Sequence, residues 1–330
     1  MNLMSSLEPY KAPWWASNAH VQTIAPTYHR TPQPIYTRQR WDTPDNDFID
    51  LDWVNAHKIN QPNQRLVILF HGLEGSSQSP YARSLMNECV QQGYTGVVVH
   101  WRSCSGEINR QPIFYHSGFS QEVDWILRRL STLYPHSTRH VAGVSLGGNA
   151  LLKWLGEQGT AAQHLISSAA AICPPHDLKA GSIALAKGFN QYVYMRHFLS
   201  TLKTKGLTKI AMYPHLNLSA EKIKTAQNFF DVDNHVTAPL HGFKNAEDYW
   251  QQSSCKQFLS LVRTPTLVLN ALNDPFIPKD SLAQPHEASS SVQLTYLNQG
   301  GHVGFIHGST RARIDWLPKY ILEFLISSQT

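Results

Sequence analysis

His140-Val141-Ala142-Gly143-Val144-Ser145-Leu146-Gly147-Gly148-Asn149 is the stretch that decides the fold. Residues 140–143 are short and apolar and read as a strand. Residues 150–155 read as a helix. Between them stands Gly143-x-Ser145-x-Gly147, a GxSxG motif. A serine so placed, after a strand and before a helix, fits the sharp turn of a nucleophile elbow. Its serine takes a strained backbone conformation. Side chains flanking it would collide with the adjoining strand and helix, so small residues are required there. The hydroxyl then projects at the carboxyl end of the sheet, where open α/β folds bind ligands.

Working outward, the same rhythm recurs. Leu66-Val67-Ile68-Leu69-Phe70 is a continuous apolar run ending in His71-Gly72. A strand buried on both faces of a parallel sheet reads this way. Residues 80–93 form a helix stopped by glycine, and residues 96–101 a second buried strand. Phe119, Val123, Leu127 and Leu130 recur at helical spacing. Further strands fall at 166–173, 266–271 and 292–297, and a last helix at 310–326. Before all of these, strands at 35–41 and 48–53 flank the turn formers of Thr43-Pro44-Asp45-Asn46-Asp47. Alternating strands and helices imply an α/β fold: a mostly parallel central sheet with helices on both faces. The rhythm is lost between about residues 174 and 261, where aromatic clusters and scattered lysines suggest helices. The expected organisation is an N-terminal arm and first strands (1–60), a core (61–174), an inserted helical cap (175–260) and the rest of the core (261–330).

Composition narrows the function classes. Of 330 residues, 42% are apolar and 15% charged, the balance of a folded globular chain. The net charge of +5 is not focused in any dense Lys/Arg run, which argues against a nucleic-acid partner. Cys89, Cys104, Cys173 and Cys255 lie far apart without a CxxC pair. Neither a zinc site nor a disulfide framework is indicated, and scattered thiols suit a reducing cytosol. The first twenty residues hold no signal-peptide core, and no apolar run is long enough to span a bilayer. The expectation is a cytoplasmic protein that needs no metal or organic cofactor.

A serine hydroxyl needs a base to become nucleophilic. His302, in Gly300-Gly301-His302-Val303-Gly304, follows the last strand in a glycine-rich loop. That position singles it out from the 17 histidines of the chain. Asp274 follows the strand ending in Asn270-Ala271 and can orient the imidazole. Asp231 and Asp233 are rivals in the cap stretch. The order Ser145, Asp274, His302 is the one such sheets use for this triad. Oxyanion donors are expected from the backbone N–H groups of Leu73 and Leu146. His71 reads as a strand-end histidine in a hydrogen-bond network. Cys104, in Ser103-Cys104-Ser105-Gly106, is a competing nucleophile in principle, but buried free cysteines are usually inert.

Further stretches carry a family resemblance. They are Pro13-Trp14-Trp15 with His20-Val21-Gln22-Thr23, and Phe48-Ile49-Asp50-Leu51-Asp52-Trp53. His71-Gly72-Leu73-Glu74-Gly75-Ser76 and Cys104-Ser105-Gly106-Glu107 with Asn109-Arg110 follow. Later come Thr237-Ala238-Pro239-Leu240-His241-Gly242-Phe243 and Asn273-Asp274-Pro275-Phe276. Together with Ser145-Leu146-Gly147-Gly148-Asn149 and Gly301-His302-Val303-Gly304-Phe305, they run almost end to end. The sequence resembles the YheT-like branch of the α/β-hydrolases, the AB hydrolase 4 family. Ser103, Asn273 and Asn46 depart from the family pattern without touching the triad.

The resemblance implies a carboxylic-ester hydrolase acting on short- or medium-chain acyl esters, with acylglycerol lipases and acyltransferases among its relatives. An acyltransferase sharing the same acyl-enzyme is the alternative, and a non-catalytic ligand receptor on the same fold the rival from another class. Trp14, Trp15, Phe189, Tyr192 and Phe229 are candidates to shape the acyl site. The small-molecule ester is the expected partner. The Lys-bearing segment 187–209 suggests contact with a lipid surface. The oligomeric state is left open.

Overall fold

The computed structural model describes residues 8–327. Among them, eight strands form one sheet. They are β1 (Thr37–Asp42), β2 (Phe48–Val54), β3 (Arg65–Phe70), β4 (Thr95–Val99), β5 (Thr138–Val144), β6 (Ser168–Ile172), β7 (Thr266–Ala271) and β8 (Val292–Leu297). Their spatial order is β1-β2-β4-β3-β5-β6-β7-β8. The pairs β1–β2 and β2–β4 are antiparallel, and every pair from β4 to β8 is parallel. The expected α/β-hydrolase architecture is therefore present.

The continuous apolar strands are buried from both sides. In β3, Val67 and Leu69 enter one apolar layer, whereas Leu66, Ile68 and Phe70 enter the other. The first layer is covered by helix α2 (Pro80–Gln91) and by the C-terminal helix Trp316–Ser327. The second is covered by α3 (Ser120–Leu133) and α4 (Leu146–Gln158). Each fully buried aliphatic side chain contributes about 1.5–3 kcal/mol relative to exposure, so this sandwich dominates the stability. A further helix, α1 (Ala19–Tyr28), precedes the sheet in the chain. Its Asn18 cap accepts the amides of His20 and Val21.

Several boundaries differ from the sequence reading by a residue or more. The first strand begins at Thr37, and Ile35, just after Pro34, is left exposed. Helix α4 starts at Leu146, so Gly147 and Gly148 are helical. Glycine reads as a helix breaker, but close packing requires it here. The last helix starts at Trp316, because residues 307 and 313 first pair across a turn holding Gly308 at φ 103°.

Between β6 and β7 the chain is helical. It forms α5 (Leu178–Leu185) and the helices Arg196–Met212, Ala220–Thr225 and Ala246–Ser253. Two π-helical turns, Gln191–Met195 and Asp233–Thr237, interrupt this run. Strand β3 has β4 on one side and β5 on the other, so the chain order reverses there. The crevice beyond the carboxyl ends of β3 and β5 is the position that the topology assigns to a ligand.

Candidate active site

Strand β5 delivers Ser145 into this crevice. Ser145 has φ 51°, a left-handed conformation that non-glycine residues adopt only under constraint. The flanking glycines explain the constraint. A Cβ on Gly143 would lie 2.5 Å from the carbonyl oxygen of Gly147. One on Gly147 would lie 2.6 Å from His71 O and closer still to Phe70 O. Strand β3 and helix α4 thus approach too closely for any side chain.

His302 and Asp274 converge on Ser145. Ser145 Oγ and His302 Nε2 are 3.0 Å apart, and His302 Nδ1 lies 2.8 Å from Asp274 Oδ2. A carboxylate only accepts, so Nδ1–H donates to Asp274 and leaves Nε2 to accept from the serine. Asp274 is buried, and its second oxygen accepts the Phe276 amide at 2.8 Å. The Phe276 ring stacks on His302, with centroids 4.2 Å apart. Asp231 and Asp233 take no part: Asp231 accepts the Gln227 amide, and Asp233 accepts from Thr237 and Trp250.

The loop after β3 crosses directly above the serine, since a Cβ on Gly72 would stand 3.2 Å from Ser145 Cβ. In this loop the Gly72 amide donates to Tyr81 Oη at 2.9 Å and the Glu74 amide to Tyr115 Oη at 2.7 Å. The amide between them, on Leu73, finds no protein acceptor among the described residues. Leu146 is the first residue of α4, so its amide lacks a partner within the helix. Leu73 and Leu146 both line the cavity over Ser145. His71 is buried and donates from Nδ1 to Gly72 O. Burial pushes its pKa down to about 3, which keeps the ring neutral. Its Nε2 accepts the Trp101 amide.

That cavity encloses about 150 Å³ and has Ser145 and His302 in its wall. Its lining is mostly apolar and includes Leu185, Phe198, Leu202, Phe229, Val236 and Phe276. Of the aromatic candidates, Phe229 is in this lining. Trp14, Trp15, Phe189 and Tyr192 are not in the lining, which corrects the expectation for all four. Trp14 is 83% exposed, and Trp15 donates its indole N–H to Ser309 O. Phe189 packs on His20, with ring centroids 4.3 Å apart, and Tyr192 is 75% exposed. Tyr192 lies within the π-helical turn Gln191–Met195, which separates Phe189 from Phe198.

Several supporting residues carry no local sequence signal. Gln22, fully buried, accepts the Gly300 amide at 2.7 Å and a hydrogen bond from Asn273 Nδ2. Thr23 Oγ1 accepts the His302 amide at 2.9 Å, and Asn273 Oδ1 accepts that of Gly301. Helix α1 thus clamps the two loops that bear His302 and Asp274. Asn149 ties the elbow helix to its surroundings. Its Nδ2 donates to the carbonyls of Ser117 and Ser253, and its Oδ1 accepts the Cys255 amide.

The remaining chemistry is quiet. Burial pushes the Cys104 thiol up to about 12, away from nucleophilic thiolate. The ligand-capable atoms of Cys173, Asp274 and His302 lie within 4.8 Å of one another. His302 and Asp274 already satisfy each other, however, and burial raises the Cys173 thiol. This set does not favour the thiolate that a metal would require.

The geometry is matched by kinship. Residues 65–309 fit the model of the alpha/beta hydrolase fold. The chain belongs to the α/β-hydrolase family. It is 37% identical to the candidate esterase YheT of Escherichia coli, over 94% of this chain and 90% of that one. It is 26% identical to a monoacylglycerol lipase of Saccharomyces cerevisiae (90% and 66% covered) and 24% identical to mouse phospholipase ABHD3 (96% and 78%). Among solved structures, this α/β-hydrolase superposes on the Pyrococcus furiosus esterase PF2001 with a TM-score of 0.55 at 14% identity, covering 97% and 96% of the two chains. Est1E from Butyrivibrio proteoclasticus, bound to ferulic acid, gives 0.55 at 14%, with 89% and 98% covered. Among the described residues no helix is long and apolar enough to cross a membrane.

Proposed function

We propose that this α/β-hydrolase of the esterase and lipase type is a serine carboxylic-ester hydrolase acting through an acyl-enzyme on Ser145. The observation that carries the reading is the unbroken relay from Ser145 Oγ through His302 to the buried Asp274, opening on a mostly apolar cavity. Relatives named esterase, phospholipase and monoacylglycerol lipase agree with the class.

In this mechanism Ser145 Oγ attacks the ester carbonyl carbon while His302 Nε2 takes its proton. Negative charge forms on the carbonyl oxygen and is met by the amides of Leu73 and Leu146. Collapse expels the alcohol, which leaves with the proton from His302. Water, deprotonated by the same nitrogen, then releases the acid and restores the serine. Asp274 holds the tautomer and stabilises the imidazolium. Residues 175–260 act as a cap whose Phe198 and Phe229 supply an apolar wall for a short or medium acyl chain.

The test is a fluorophosphonate probe combined with p-nitrophenyl esters of graded chain length. Native protein is labelled and hydrolyses the shorter esters, whereas Ser145→Ala does neither. Labelling that persists in Ser145→Ala overturns the assignment.

A further inference from the structure

The helix Arg196–Met212 overlaps the Lys-bearing segment 187–209 that reads in sequence as a contact for a lipid surface, yet two of its lysines turn inward. Lys209 Nζ donates to the carbonyls of Asn109 and Gln111, each at 2.5 Å. Four residues earlier on the same face, Lys205 Nζ donates to Glu74 Oε1 at 2.6 Å. Lys205 also stands 3.5 Å from Cys104 Sγ and 5.9 Å from the Tyr115 ring centroid. Lys205 and Glu74 both line the cavity over Ser145.

Glu74 is the unusual member. It follows Leu73 in a turn closed by the bond from the Gly75 amide to Gly72 O at 3.0 Å. Its φ is 55°. Left-handed backbone at the third position of such a turn normally calls for glycine. A glutamate holds that conformation only under restraint from its surroundings. Tyr115 Oη accepts the Glu74 amide and donates to Glu74 Oε1 at 2.8 Å, bracing both ends of the residue. Lys205 grips the same carboxylate oxygen from the helical segment.

We infer that Lys205 and Tyr115, acting through Glu74, are positioning residues that hold the turn carrying the Leu73 amide. This rests on the serine-hydrolase reading above, in which that amide meets the oxyanion. The helical segment between β6 and β7 thereby sets the geometry of the donor as well as the wall of the cavity. Docking of the helix and assembly of the donor become one event.

The test uses the glycine that the turn would otherwise demand. Lys205→Met lowers kcat for a p-nitrophenyl ester about tenfold, a fraction of the loss when an oxyanion donor is deleted, with KM changed less than threefold. Lys205→Arg restores most of kcat. In a Glu74→Gly background, where φ 55° is free of strain, Lys205→Met changes kcat less than twofold. Tyr115→Phe, which keeps the ring, repeats the kcat loss should Lys205→Met fold poorly. Equal loss in both backgrounds, or an effect on KM alone, overturns the inference and reduces Lys205 to a docking contact. Ser145-dependent probe labelling of native protein, measured in parallel, separates that result from failure of the serine assignment.

Discussion

The backbone amide of His302 donates to Thr23 Oγ1 at 2.9 Å, across 279 residues of chain. The residue proposed as general base is thus held from behind by helix α1 while its ring faces Ser145. Thr23→Val keeps the shape and removes the acceptor. The expected cost in stability is about 1–2 kcal/mol, from one partly buried amide left unpaired. The expected fall in kcat, about tenfold, exceeds what that destabilisation explains, because a small misplacement of a catalytic group is amplified in rate. Thermal melts and steady-state kinetics on the same preparation check the two numbers.

Asp274→Asn keeps the volume but cannot stabilise the imidazolium and favours the wrong tautomer. A loss of kcat on the order of 10⁴-fold is expected, with substrate binding little changed. Single-turnover kinetics locates the loss in acylation.

Gly147→Ala has a steric outcome. Its new methyl group meets the backbone oxygens of Phe70 and His71, which cannot swing aside. A destabilisation of about 2–4 kcal/mol is expected, together with loss of Ser145 labelling. Urea unfolding of the variant measures the first.

Asp233 yields a pH prediction. Burial pushes its carboxyl up to about 6 from an ordinary value of 3.8, against the hydrogen bonds from Thr237 and Trp250. The folded state therefore binds more protons than the unfolded state between these values. Its contribution to stability is full below about pH 4 and is lost as the pH rises through about 6. The difference amounts to about 3 kcal/mol. Asp233→Asn removes this slope, so the variant gains on the native protein between pH 4 and pH 7. Melting curves of both at these two pH values check the sign.

The triad and the sheet were legible because their signals are local. Each of Ser145, Asp274 and His302 follows a strand, and strands announce themselves by apolar runs. Gln22 and Thr23 were not legible as supports, because their partners at Gly300 and His302 are nearly the length of the chain away. The partners of the lysines at 205 and 209 were hidden for another reason. Composition reports a cationic helix but not the face its charges take: Lys205 turns to Glu74 in the cavity wall, and Lys209 is buried against the carbonyls of Asn109 and Gln111. Phe189 and Tyr192 were misplaced because an aromatic cluster in the cap stretch does not say which of its rings face the cavity and which face solvent or helix α1.

The clamp between α1 and the His302 loop has a consequence for the order in which the site comes into being. Ser145 sits early in the chain, and the loop that aligns its base sits some 157 residues later. During synthesis, Ser145 is made long before residues 300–302 leave the ribosome. Gln22 and Thr23 wait longer still, because their partners lie 278 and 279 residues further along the chain. Under the proposed relay, hydrolytic competence therefore waits for His302 to be made, and a chain stalled or cut before it is expected to be inert.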